Sequence, residues 1–147
     1  MKPEGSVSAA PSSGRPILPT HDASSDKALV LRLEAAGTGA IVLYCQGQIV
    51  FRSQARALSS LIMEVLPTAR RLVVDLAGVA SLDSGALGEL VLTQMWAEAA
   101  GYDLKLSTPT NSVWRLFEAT NLASVFDVHS TVESALASMQ GEDGHLS

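Results

Sequence analysis

The sequence predicts a single α/β domain with a mixed, mainly parallel β-sheet, a leading β-hairpin and about four α-helices. Short apolar runs typical of strands alternate with segments of helical periodicity, which is the pattern of βαβ units. The first two runs are separated by a short segment around Thr38-Gly39, which favours a hairpin. The third run, Leu72–Leu76, is almost continuously apolar, as expected for a central parallel strand that is buried on both faces.

The first half of the domain supplies the hairpin, one helix and this central strand. The hairpin strands are predicted at Leu29–Leu33 and Ile41–Cys45. The helix that follows is expected to have Ser53 as its N-cap and to end at Pro67, which cannot donate a backbone hydrogen bond. Its apolar positions recur at the spacing of one helix face: Leu58, Leu61, Ile62 and Val65.

The second half repeats the alternation of helices and strands. A helix is predicted from about Ser84 to Gly101, with an expected core stripe of Leu87, Leu90, Val91 and Met95. A short strand at Leu104–Leu106 precedes a helix that has Pro109 in its first turn. The last predicted elements are a strand, Val125–Val128, and a helix that opens with the capping box Ser130–Glu133.

The two ends of the chain are expected to be tails. Residues 1–27 are rich in serine and carry four of the six prolines, so this segment is predicted to be disordered. The folded domain is predicted to span residues 28–139, and residues 140–147 are expected to form a flexible C-terminal tail.

Composition excludes several classes of function. The net charge is −5 and no basic patch occurs, which argues against nucleic acid as a partner. No apolar stretch is long enough to insert into a membrane. The single cysteine, Cys45, permits no disulfide within the chain and is expected to be a small buried hydrophobe in a cytoplasmic protein. The sequence offers no metal-ligand spacing and no cofactor motif, so neither a metal nor a cofactor is expected.

The stretch Leu82–Gly88 is the strongest candidate site, because it lies where a strand is followed by a helix. Helix N-termini carry unpaired N–H groups and favour negative charge. Ser84 is therefore open to three roles, as a helix cap, as a contact for a partner or as a phosphate acceptor. The preceding connection, Gln48–Ser53, is expected at the same end of the sheet, where Val50 and Phe51 either pack locally or contact a partner.

An enzymatic alternative rests on two carboxylates. Asp75 lies at the end of the apolar run, as a phosphoryl-accepting aspartate does, and Asp83 follows eight residues later. The simpler interpretation of the same residue is that Asp75 accepts a hydrogen bond from a neighbouring loop. The chain contains no G-x-S-x-G and no P-loop motif.

The combination of Leu72–Val79 with Leu82–Val91 resembles the hallmark of STAS domains, a family that includes bacterial anti-sigma factor antagonists. The likeness extends from about Leu29 to Met139 and includes the Gly47-Gln48-Ile49 turn. It implies a non-enzymatic regulator that binds an anti-sigma factor, often a serine kinase. That kinase phosphorylates a Ser or Thr in the D-S-[ST]-G-L-G-type loop, and a serine phosphatase reverses the modification.

The resemblance carries residue-level expectations, and the chain departs from the family pattern in this loop. Asp83 and Ser84 match the family's Asp-Ser, and Asp83 is expected to shape the loop and cap the helix. Gly85 and Ala86 occupy the usual acceptor and glycine positions, which leaves Ser84 as the candidate phosphoacceptor and Ser81 as a further, weaker candidate. The partner-binding surface is expected to comprise Gln48, Val50, Phe51, Arg52, Ser53, Asp83, Ser84, Gly85, Gly88 and Glu89. The alternative is a STAS subunit or scaffold of a larger assembly, such as a lipid-transport ATPase complex, without a phosphorylation cycle.

Overall fold

The computed structural model describes residues 28–37 and 39–146, with side chains up to residue 139, so the predicted tail at 1–27 lies outside the described residues. Described elements, in order, are β1 (Val30–Ala35), β2 (Ile41–Ile49), α1 (Arg52–Ala69), β3 (Arg71–Leu82), α2 (Ser84–Ala100), β4 (Asp103–Ser107), α3 (Asn111–Ala119), a 3-10 turn (Ala123–Val125), β5 (Val128–His129) and α4 (Val132–Leu146).

The strands form one five-stranded sheet in the order β1-β2-β3-β4-β5. β1 and β2 form the antiparallel hairpin, whereas β2 to β5 are parallel. The predicted mixed α/β fold with a leading hairpin is therefore confirmed. β3 lies at the centre, and its residues 72–76 are buried, as their continuous apolar character predicts.

The helices divide unequally between the two faces of the sheet. The chain moves in one direction from β2 to β5, and right-handed crossovers then place the connecting helices α1, α2 and α3 on the same face. Their main core includes Leu58, Leu87 and Phe117. α4 covers the opposite face, where Ala135 and Met139 meet Val42, Val73 and Ala40.

Several strand boundaries differ from the prediction. β1 is shifted to Val30–Ala35, and β2 continues beyond Cys45 to Ile49, so Gln48 belongs to a strand rather than a loop. β3 runs on to Leu82. The prediction missed these extensions because the ends of β2 and β3 contain polar and small residues, which interrupt the apolar pattern of a strand. The two strands nevertheless pair there, Gln48 with Ser81 and Ile49 with Leu82.

Both predicted ends of α1 are wrong. The N-cap is Phe51 rather than Ser53, and the Oε1 of Gln54 accepts the backbone N–H of Phe51 at 3.2 Å in place of a side-chain cap from residue 51. Pro67 does not end the helix, which continues to Ala69. Pro67 is exposed, so the carbonyl that loses its intrahelical bond there can be hydrated.

The later elements also differ at their starts. Pro109 precedes α3 instead of lying in its first turn, and Thr110 is the N-cap. The predicted strand Val125–Val128 divides into the 3-10 turn and the two-residue β5. At the start of α4 the hydroxyl of Thr131, rather than that of Ser130, accepts the N–H of Ser134 at 2.9 Å.

The C-terminal expectation is also corrected. α4 runs to Leu146, so residues 140–146 continue a helix rather than forming the flexible tail predicted at 140–147. The final residue, Ser147, lies outside the described residues.

Gly47 fixes the path by which the chain enters the domain. Its φ is +123°, and a Cβ at this position would lie 2.2 Å from the carbonyl oxygen of Ala28. Only glycine tolerates both the conformation and the contact. The backbone of Ala28, just before β1, therefore packs directly against Gly47 in the distal part of β2.

Candidate functional site

The carboxyl ends of β2 and β3 lie side by side at one edge of the sheet. Ile49 is paired with Leu82, and the N–H of Asp83 donates to the carbonyl of Ile49 at 3.3 Å. Because one or two residues separate each strand from its helix, the N-termini of α1 and α2 begin next to each other. This arrangement brings the two predicted segments of the partner-binding surface together. In parallel α/β sheets, binding sites lie at this edge.

The α1 side of the surface combines an anchored backbone with an exposed aromatic ring. The N–H of Val50 donates to Gln54 Oε1 at 3.0 Å, which fixes the connection. Val50 is half-buried, as local packing predicts, but Phe51 is 58% exposed. Local packing does not explain Phe51, whose ring faces solvent at the start of the helix together with exposed Arg52 and Ser53.

On the α2 side of the surface, the helix cap and the exposed hydroxyl group belong to two different residues. Asp83 is the N-cap, and its Oδ1 accepts the N–H of Ala86 at 2.8 Å. Ser84 is the first helical residue and is exposed, and its hydroxyl has no hydrogen-bond partner among the described residues. The role of Ser84 as a plain cap is therefore wrong, because Asp83 performs it. A hydroxyl in this position is accessible for a contact or a modification.

Two exposed glycines widen the accessible surface of α2. A Cβ at Gly85 would have Asp83 Oδ1 as its nearest neighbour at 3.6 Å, and a Cβ at Gly88 would meet nothing within 4 Å. Neither glycine is required by the fold. Their missing side chains leave the backbone of the first two turns open to close approach.

Glu89 joins the two helices beneath this surface. It is half-buried, and its Oε1 accepts the hydroxyl of Ser59 in α1 at 3.3 Å. This contact makes Glu89 a link between α1 and α2 as well as a surface residue, so the two helix N-termini hold a fixed relative position.

The structure adds exposed apolar residues that the periodicity missed. Met95, expected in the core, is 56% exposed, and Leu92 is 64% exposed. Thr93 and Gln94 are buried in their place. Because α2 is apolar around most of its circumference, its pattern does not distinguish the buried face from the outer one. The signal that was available is the spacing of Gly85, Gly88, Leu92 and Met95, which places all four on one exposed stripe.

The enzymatic alternative built on Asp75 and Asp83 is wrong. Asp75 lies inside β3 and is 7% exposed, with the hydroxyl of Ser107 donating to its Oδ1 at 3.0 Å. Seven more strand residues separate it from Asp83, a span of roughly 20 Å or more at about 3.3 Å per residue. The two carboxylates therefore do not share a site.

A second polar group lies on the α4 face, away from the helix N-termini. Burial disfavours the charge of Lys105, but its hydrogen bond and ion pair with Asp127 and its ion pair with Asp103 outweigh this, so the pKa of Lys105 is raised. The charge is satisfied within the fold. In the described part of the chain, no group of three or more acidic, histidine or cysteine side chains is placed to hold a metal ion.

A further structural property concerns membranes. No helix found within residues 28–146 combines the length and the apolar character that crossing a bilayer requires.

Residues 32–135, more than two thirds of the chain, match the STAS domain family. An anti-sigma factor antagonist from Mycobacterium paratuberculosis is similar in structure, with 23% identity and a TM-score of 0.68 over 78% of this chain and 96% of that protein. SpoIIAA in its unphosphorylated form has 19% identity and a TM-score of 0.62 over 76% of this chain and 97% of its own. The murine anion transporter Slc26a9 matches 70% of this chain with only 18% of its own, at 15% identity and a TM-score of 0.61.

At these identities the structural likeness shows the fold, with its hairpin, parallel sheet and paired helix N-termini. The match of the sequence over most of the domain goes further, and by it the chain belongs to the STAS domain family.

Proposed function

We propose that this chain is a non-enzymatic regulator of the anti-sigma factor antagonist type, which binds an anti-sigma factor through the paired N-termini of α1 and α2. The observation that carries the proposal is the pairing of the Ile49 and Leu82 strand ends, which presents Phe51 and Ser84 on one exposed surface. Its support from relatives is that similar folds include anti-sigma factor antagonists.

The contact surface in this proposal extends from the strand ends along α2. Gly85 and Gly88 allow a partner's backbone to approach, and Leu92 and Met95 supply apolar area that is exposed in the isolated chain. Burying such side chains is the main source of affinity at interfaces, whereas the surrounding polar residues provide specificity.

Ser84 is the proposed phosphoacceptor, and the anti-sigma factor is the proposed serine kinase. A phosphate would add about −1.5 to −2 charges, at a helix N-terminus where the dipole and N–H groups tolerate an anion. The new charge would lie in the middle of the contact surface, next to the Asp83 carboxylate, so it would weaken partner binding through desolvation and repulsion. Bacillus SpoIIAA, which shares this fold, has been observed in a phosphorylated form.

The test is capture of the partner by the full chain, followed by incubation of the complex with ATP and intact-mass measurement. We expect an anti-sigma factor to be captured and one phosphate to map to Ser84. Ser84→Ala should abolish the added mass, whereas Ser53→Ala, an exposed serine at the start of the neighbouring helix, should leave it unchanged. Phosphate on another residue would contradict the assignment of Ser84, and no anti-sigma factor among the captured proteins would contradict the proposed function.

The second candidate is a STAS subunit of a larger assembly that has no phosphorylation cycle. The observation that favours it is Gly85, which has no hydroxyl at the family's usual acceptor position. Capture of transporter or ATPase subunits, with no phosphate added, would support this candidate. Gly85→Ser separates the two, because its Cβ meets only an ordinary contact at 3.6 Å and the variant should fold normally. A gain of phosphate at residue 85 would show that a cognate kinase docks on this surface.

A further inference from the structure

Strand β1 forms one edge of the sheet within the part of the chain that the structure describes. In the strand order β1 is terminal, and among the described residues it pairs only with β2. Val30 and Leu33 are exposed on it. An open edge presents unpaired N–H and C=O groups that another strand can complete.

The direction of these backbone groups follows from the hairpin. The N–H of Ala36 donates to the carbonyl of Ala40, so residue 36 directs its backbone groups toward the β2 side. Alternation then directs the groups of Glu34 and Arg32 toward β2 and those of Ala35, Leu33 and Leu31 outward. These three outward-facing residues, at every second position of β1, are enough for a short antiparallel ladder of backbone hydrogen bonds.

The side chains on this edge carry opposite charges at a spacing of two. Arg32 and Glu34 lie on the same face, form an ion pair within the chain and are more than half exposed. The guanidinium of Arg32 also lies 4.4 Å from the centroid of the Tyr44 ring, which holds it beside the edge. Both charges are therefore available to a strand that adds at this edge.

We propose that β1 pairs with β1 of a second copy of this chain, antiparallel about a two-fold axis at Leu33. In this register Leu33 exchanges two backbone hydrogen bonds with the partner's Leu33, and Leu31 pairs with the partner's Ala35. Arg32 then lies opposite the partner's Glu34, twice by symmetry. These are the non-hydrogen-bonded positions, where opposed side chains are closest, so the charges face each other at short range.

Neighbouring registers do not provide this match. Moving the axis to Leu31 places Arg32 opposite the partner's Val30, and moving it to Ala35 places Glu34 opposite the partner's Ala36. A shift by one residue would turn outward backbone groups away from their partners. The Leu33-centred register alone satisfies all outward groups of residues 31, 33 and 35 and pairs both charges.

The proposed dimer is independent of the proposed function. β1 lies at the sheet edge beyond β2, and none of its residues belongs to the helix N-termini that form the candidate site. The dimer would join two five-stranded sheets into one continuous ten-stranded sheet that carries two separate binding surfaces. Failure of either proposal therefore leaves the other unaffected.

The test is sedimentation equilibrium of the full chain and its charge-reversal variants. We expect a wild-type dimer whose dissociation constant rises about tenfold or more in Arg32→Glu and in Glu34→Arg, because each change opposes like charges at two positions. An equimolar mixture of these two variants should dimerise again, since the acidic edge of one then faces the basic edge of the other. That rescue depends on contact between chains and cannot arise from the ion pair within one chain.

Two further variants complete the test. Arg115→Glu changes an exposed arginine on α3 and should leave the dimer intact. Leu33→Pro removes an outward N–H that β2 does not use, so it should give a folded monomer. A monomeric wild type, a dimer that ignores both charge reversals, or a mixture that fails to recover would each overturn the proposal.

Discussion

At the scale of single residues, two neighbouring side chains at the start of α2 have different roles. Asp83 caps α2, while Ser84 leaves its hydroxyl accessible. Both are good N-cap residues, and the structure confirms the expectation that Asp83 is the cap. Phe51 shows where the sequence is insufficient, since an aromatic residue near a helix start fits local packing as well as an interface until its 58% exposure is seen.

Gly47 gives a prediction at this scale. Gly47→Ala should lower the free energy of unfolding by at least about 2 kcal/mol, because it forces a Cβ against the Ala28 carbonyl and requires a left-handed φ. Chemical denaturation monitored by circular dichroism measures the change. Gly88→Ala is the matched control and should stabilise the protein by about 0.5–1 kcal/mol, since it lies in an exposed helical turn with open space. Equal stability of the two variants would contradict this account of Gly47.

At the scale of elements, the candidate site is positioned by where α1 and α2 begin. Tertiary contacts and solvent exposure decide where these helices begin and end. α1 begins at Arg52 because Gln54 satisfies the backbone at Val50 and Phe51, and it passes through Pro67 because that position is exposed. α2 begins as soon as β3 ends, with Asp83 between them. The expected loop of several residues is thus reduced to a single capping residue, and the site is correspondingly rigid.

The cap of α2 is testable by its own substitution. Asp83→Ala should cost about 1 kcal/mol of stability, because the N–H of Ala86 loses its acceptor and the helix dipole loses a favourable charge. Asp83→Asn retains the accepting oxygen and should stay within a few tenths of a kcal/mol of wild type. Urea titrations of the three proteins compare these values. An equal loss in both variants would assign the effect to charge rather than to the hydrogen bond.

The outer face of α2 supplies a prediction about binding. Leu92→Ser should weaken capture of the partner by about tenfold or more, because burying a leucine side chain is worth about 1.5–3 kcal/mol. Stability should change little, since Leu92 is 64% exposed in the isolated chain. Surface plasmon resonance with the identified partner measures the affinity. Met63→Ser on α1 is a comparison at a residue that is also exposed, and an effect confined to Met63 would move the contact surface away from α2.

At the scale of the whole molecule, the sheet separates an apolar core from a polar set of contacts. The α1–α3 face is filled by aliphatic and aromatic side chains. The other face combines the small cluster under α4 with the Asp75–Ser107 hydrogen bond and the Lys105 ion pairs. Asp75 therefore serves the interior of the domain, whereas the helix N-termini of the candidate site lie at the edge formed by the carboxyl ends of β2 and β3.

Cys45 links this core to a pH dependence of stability. Burial raises the pKa of the Cys45 thiol, so the folded protein keeps a proton that the unfolded chain releases above about pH 8.5. The folded state then binds more protons, and the free energy of unfolding falls as pH rises, by up to about 1.4 kcal/mol per pH unit. Below about pH 8.5 this contribution is fully present.

The measurement is the slope of the free energy of unfolding between about pH 8.5 and 9.5, below the ordinary pKa values of tyrosine, about 10, and lysine, about 10.4. Cys45→Ala should flatten this slope relative to wild type, whatever its constant packing cost. Identical slopes in the two proteins would show that the thiol is not the group responsible.

The sequence by itself determined the fold class, the leading hairpin, the buried central strand and the residues that gather at the strand ends. These depend on periodicity, turn chemistry and a contiguous motif, which are local properties of the chain. Tertiary structure alone decided the exposed face of α2, the passage of α1 through Pro67, the length of β3 and the separation of Asp75 from Asp83. Each of these features depends on which surfaces pack together and which remain in water. For α2, which is apolar on most sides, the sequence pattern does not show which face is buried.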